Sequence, residues 1–110
     1  MHPFMFVINA IPQSKNKHFW VLSQAIIHIW VIDNNMQNAK QKALDDIKNH
    51  LWIPKEIEHE FAPTDEQLLH LHKDEVSLYQ KALLCGIASI YIGVPIVESP
   101  GSPPEWNTPC

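Results

Sequence analysis

Residues 18–32 read HFWVLSQAIIHIWVI. In the second half of this stretch Ile27, Ile29 and Val31 alternate with Ile26, His28, Trp30 and Ile32. Successive side chains of a strand point to opposite faces, and β-branched and aromatic residues suit a pleated surface. The stretch therefore predicts a strand that is apolar on both sides. Fifteen residues are long for one strand, which predicts a bend or bulge near Ser23-Gln24-Ala25. Upstream, Phe4 to Asn9 is a short apolar run that also suits burial on both faces. Pro12 to Lys17 makes a polar turn between the two.

Downstream, Asp33-Asn34-Asn35 offers capping side chains. Met36, Ala39, Ala43, Leu44, Ile47 and Leu51 then recur at helical spacing, predicting an amphipathic helix of about four turns. Ile53, Lys55, Ile57, His59 and Phe61 alternate with Pro54, Glu56, Glu58 and Glu60. That period of two predicts a strand with one apolar and one acidic face, and Pro54 favours an edge position. Thr64 and Gln67 have the spacing of a capping box for a second helix. Its stripe of Leu68, Leu69, His72, Val76, Tyr79 and Leu83 is widened by Leu71, Leu78, Ala82 and Cys85, and Gly86 marks its end. Ala88 to Ile92 reads as a last strand. Residues 95–110 hold five prolines and read as an extended tail beyond a single domain at 1–94.

This order, β-β-α-β-α-β, predicts an α+β two-layer sandwich. A mostly antiparallel sheet of about four strands would carry both helices on one face, with a ferredoxin-like arrangement favoured. The other face would stay open and present Ile26, His28, Trp30 and Ile32. Open apolar patches of this kind usually mark partner surfaces, so a homo-oligomer is expected, a dimer packed sheet to sheet.

Composition narrows function. The 110 residues carry 8 lysines, no arginine and 12 acidic residues, for a net charge of −4. Duplex binding needs a basic face that releases counterions, so no nucleic-acid partner is expected of the chain by itself. The polar loop Lys15-Asn16-Lys17-His18 is the local exception, able to touch an anion. The uncharged runs 19–32 and 82–97 fall short of the ~20 apolar residues of a spanning helix, so no membrane partner is expected. Two cysteines, Cys85 in an apolar run and Cys110 at the end, make no disulfide framework. With no visible signal peptide, a cytoplasmic location is expected.

Seven histidines raise the question of metal binding. His70 and His72, two apart on a helix, point roughly 200° away from each other. Glu66, His70 and Asp74, each four residues on, would share one helical face. They could hold zinc or manganese, or position an acid–base histidine; no cofactor is predicted, and a divalent metal is the alternative. The bland alternative is a solvated face. Glu56, Glu58 and Glu60, about 7 Å apart along one strand face, read as charge that protects a sheet edge; the functional alternative is a docking strip for a basic partner or a divalent ion. No Gly-x-Ser-x-Gly elbow or phosphate-binding glycine loop is present.

The strand pair followed by Asn34-Asn35-Met36 and Ala39-Lys40-Gln41-Lys42-Ala43-Leu44 resembles the core of HicB-type antitoxins over residues 18–52. The glycine-bearing turn and the basic extension of that family are missing. The resemblance implies an antitoxin-like regulator as a third reading. The first is a non-catalytic domain acting by association. The second is a metal-binding or small hydrolytic protein built on Glu66, His70 and Asp74.

Overall fold

A computed structural model describes residues 1–97 and 101–108. Along the chain run β1 (His2–Pro12), β2 (Leu22–Asp33), α1 (Met36–Asn49), β3 (Trp52–Phe61), α2 (Asp65–Leu69), α3 (Lys73–Cys85), β4 (Ile87–Pro95) and β5 (Glu105–Asn107). The strands form one sheet in the order β3-β1-β2-β4-β5, antiparallel throughout. The α+β class and the antiparallel sheet are as expected. The four-strand, two-helix and ferredoxin-like details are not.

The largest correction concerns the layers. Phe4, Phe6 and Ile8 of β1 and Ile27, Ile29 and Val31 of β2 pack with Ala39, Ala43 and Ile47 of α1. Met5, Val7, Trp30 and Ala88 pack with Leu78 and Ala82 of α3. In the β1–β2 register Phe4 lies opposite Val31 and Met5 opposite Trp30, so these two sets occupy opposite faces. The helices thus cover both sides of the sheet, giving three layers rather than two. Strands that are apolar on both faces are stable only when both are covered, and the chain supplies one helical unit for each.

Local chemistry explains the element ends. Asn35 caps α1, its side-chain oxygen accepting from the Asn38 N–H at 2.8 Å. Thr64 and Gln67 form the expected capping box. Gly86 ends α3 in the left-handed conformation, φ 84°, which a residue without Cβ adopts freely. β2 starts at Leu22, and its register against β4 shifts between Leu22 and Gln24, where a bend was expected. Leu51 closes the α1–β3 turn with φ 67°, the left-handed region where a branched side chain is uncommon. Its outward carbonyl accepts from the Gln13 N–H at 2.9 Å and from Asn16 Nδ2 at 2.7 Å. The β1–β2 loop is thereby tied to that turn.

Two further expectations are corrected. β3 carries register shifts at Val7/Ile8 and at Asn9/Ala10 of its partner strand, which break the simple alternation. Part of the expected tail belongs to the sheet: Pro95 ends β4, and Glu105, Trp106 and Asn107 pair with Ile92, Tyr91 and Ile90. Proline richness masked this strand, because Trp106 supplies its apolar contact. Pro100, Pro109 and Cys110 of that segment lie outside the described residues.

Candidate functional site

Beyond the reach of α1, the β4–β5 side of its sheet face is closed by aromatic rings. Tyr91 sits in the middle of β4 and is fully buried, and Trp52 begins β3 at 2% exposure. Register places Trp106 opposite Tyr91, and the two rings stack at 5.4 Å with 15° between planes. His18, from the β1–β2 loop, stacks on the other side of Trp106 at 4.6 Å. Trp52 leans against both Tyr91 (5.7 Å) and Trp106 (6.1 Å).

Beside these rings lies a cavity of about 410 Å³, within the range of small-molecule sites. Its walls include Trp52, Tyr91 and Trp106, and Lys15, Lys17, His18 and His50 join them. Among the described residues no carboxylate lines it, although the chain as a whole is acidic. The Tyr91 hydroxyl is buried with no hydrogen-bond partner among the described residues. An orphaned hydroxyl of this kind costs about 1–3 kcal/mol. Burial, and then the Asp46 carboxylate, push its pKa well above the ordinary phenol value, so the hydroxyl keeps its proton and stays a donor. Burial also raises Asp46; His50 Nδ1 is 3.6 Å from its carboxylate. Burial, reinforced by Lys17, lowers His18 from the usual imidazole range, which leaves it neutral at pH 7.

A second polar centre lies on the α3 face. Glu75 reaches down from the first turn of α3 to accept from the Trp30 indole at 2.7 Å and to meet His28 Nδ1 at 3.2 Å. The hydrogen bond with His28 holds the Glu75 carboxyl below its usual value against the opposing effect of burial, and the Trp30 bond adds to it. Trp30 is 1% exposed, so this carboxylate satisfies a donor that water cannot reach. The arrangement binds helix to sheet.

The expected patch of Ile26, His28, Trp30 and Ile32 is thus not open. Trp30 is buried, His28 is paired, and Ile26 and Ile32 pack against the α3-side core. Glu66, His70 and Asp74 do not share a helix face. α2 ends at Leu69, His70 is its C-cap, and Asp74 belongs to α3. The break lets Leu68 and Leu71 both reach the sheet-side core, and Asp74 and Glu75 suit the positive end of the new helix. Among the described residues no group of three histidine, cysteine or acidic side chains is placed to hold a metal.

The acidic strip is also divided. Glu60 pairs opposite Phe6 and meets Lys40 of α1 at 2.8 Å, Glu56 pairs opposite Asn9, and Glu58 falls in the register shift between them. Cys85, from the apolar run, is half-buried and is not a free thiol. Trp20 stands 84% exposed, whereas Trp106 is half-buried in the stack.

The sequence reading overlooked Glu75 and the Tyr91 cluster. A signal for Glu75 existed: it falls one turn from Leu78 and Tyr79 on the inner stripe of α3, where a carboxylate needs a partner. Comparison with protein-family models, curated proteins and solved structures finds no match. No helix among the described residues is long and apolar enough to cross a membrane.

Proposed function

We propose that this chain is a non-catalytic domain that acts by association, forming a homodimer through one end of its sheet rather than through a sheet face. The observation that carries this reading is an exposed apolar cluster at that end. Trp20 is 84%, Val21 57% and Ile96 55% exposed, and the Ile96 N–H donates to the Val21 carbonyl at 3.0 Å, which joins the two segments. Tryptophan is enriched at the anchoring centres of interfaces. Three such side chains bury less than the ~800 Å² per partner of a standard stable interface, so the dimer is weak and concentration-dependent.

Sedimentation of the intact chain across a concentration series tests this. The expected result is a monomer–dimer equilibrium abolished by Trp20→Ser and unchanged by Leu84→Ser, at an exposed leucine of α3. A monomer at every concentration overturns the proposal, as does an equilibrium that Trp20→Ser leaves intact. Neither the metal-dependent nor the antitoxin-like reading has an observation in its favour, and neither is carried forward.

A further inference from the structure

We propose that a disulfide between Cys85 and Cys110 is a redox-sensitive latch on β5, seating Trp106 over Tyr91 when oxidised and freeing it when reduced. This inference is independent of self-association. Cys85 is disulfide-bonded, and Cys110 is the chain's one other cysteine. β5 runs antiparallel to β4, so its C-terminal end points toward the start of β4 at Ile87, two residues after Cys85. Thr108 is fixed on that line. Its hydroxyl shares a buried hydrogen bond with the Ser89 hydroxyl at 2.8 Å, and its carbonyl accepts from the Lys81 ammonium of α3. Cys85 lies one helical turn beyond Lys81, about 6 Å along the axis. Two residues of chain span up to about 7 Å, and disulfide-linked Cα atoms stand about 5.5 Å apart. The bond therefore forms with β5 in its place.

Without the bond, β5 is weakly held. It is a strand of 3 residues at the sheet edge, and so short an edge element opens locally at little cost. Yet it carries Trp106, which stacks on Tyr91 at 5.4 Å and on His18 at 4.6 Å. Linking positions 85 and 110 restricts the open arm and so favours the seated one. Reduction removes that restraint, β5 lifts, and the covered ring face of Tyr91 meets solvent. The latch closes by exchange with a small-molecule disulfide, oxidised glutathione. One cysteine thiolate attacks a glutathione sulfur and expels the first glutathione thiolate. The other cysteine thiolate attacks the cysteine sulfur of the mixed disulfide and expels the second. Two electrons pass to glutathione, whose two thiolates take up the protons that the cysteines released. A reducing dithiol runs the exchange backwards and becomes the disulfide itself.

The test uses the intact chain equilibrated with oxidised glutathione and then divided, one half treated with dithiothreitol. Alkylation with iodoacetamide in denaturant, read by mass, should add no group before reduction and two after it. In two-dimensional NMR the Trp106 indole signal should move on reduction toward the position of an exposed tryptophan. The Trp30 indole, held by Glu75 on the far side of the sheet, should stay where it is and report an intact fold. The Gly93 N–H, which donates to the Pro104 carbonyl of the arm, should exchange with solvent at least about tenfold faster after reduction. Cys85→Ser should give the reduced spectrum and exchange rate with or without dithiothreitol. Alkylation before reduction, a glutathione adduct, or a dimer that separates only on reduction overturns the pairing. An unmoved Trp106 signal with an unchanged Gly93 rate overturns the latch, as does a Trp30 signal that moves along with Trp106.

Discussion

The two faces of the sheet are covered by different means. Under α1 the contact is made by small and branched apolar residues, Ala39, Ala43 and Ile47 against Phe6, Ile8, Ile27 and Ile29, all at 0% exposure. Under α3 the apolar cluster is smaller, and Glu75 adds a polar anchor between His28 and Trp30. The outward sides differ too. α1 presents Gln37, Asn38, Gln41, Lys42 and Asp45 to solvent, whereas α3 presents Leu83 and Leu84. One face is filled chiefly by apolar volume, with an ion pair from Lys42 of α1 to the buried Asp33 carboxylate of β2 at 2.6 Å beside it. The other depends on a carboxylate whose geometry fixes where the helix sits.

That contrast can be broken most directly at its apolar end. Ile47→Ala should cost about 2–5 kcal/mol in denaturant unfolding, because the 0% exposed site cannot collapse around the lost methylenes. Leu78→Ala, at the 6% exposed edge of the smaller cluster, should fall at the lower end of that range. Equal costs would mean that the faces are packed alike.

Glu75→Ala probes the polar anchor. It strands the Trp30 indole N–H, for an expected loss of about 1–3 kcal/mol. The wild-type contribution also carries a pH signature. The Glu75 carboxyl is held below its ordinary value of 4.5, so its contribution is complete above that pH. It is lost as pH falls through the lower folded value. The stability difference between wild type and Glu75→Ala, measured from neutral to strongly acidic pH, should therefore shrink on acidification. A constant difference would show that Glu75 acts through packing and not through its charge.

The smallest effect is expected at the rim of the α1 face. Lys40 and Glu60 meet at 2.8 Å, but both are more than a third exposed. Lys40→Gln should shift stability by no more than about 0.5 kcal/mol. A larger loss would mean that this rim pair, and not only Lys42–Asp33, holds α1 in its seat.

How far these features could be read in advance follows from their range along the chain. The Asn35 cap with Ala39, Ala43 and Ile47, the Thr64–Gln67 box and the Gly86 stop are local, and each appears where its spacing placed it. The two-sided character of β1 and β2 was equally plain. What it implied about layers was missed, because which face a helix takes depends on the path between strands that are distant in sequence. The break after Leu69 contains neither proline nor glycine, and it answers to the sheet beneath Leu68 and Leu71. The shifts in β3 depend on β1, and the aromatic cavity draws its walls from four separate segments. No periodicity within one segment encodes such a meeting.

The outward carbonyl of Leu51 has a consequence for that meeting place. Asn16 and Leu51 both border the cavity, and the hydrogen bonds from Gln13 and Asn16 converge on this one carbonyl. A rivet at a single oxygen atom thus joins two lips of the opening that lie 35 residues apart in the chain. Turning that peptide over would remove both of these bonds at once, while the Gln13 side chain would still hold the Lys48 and Trp52 carbonyls.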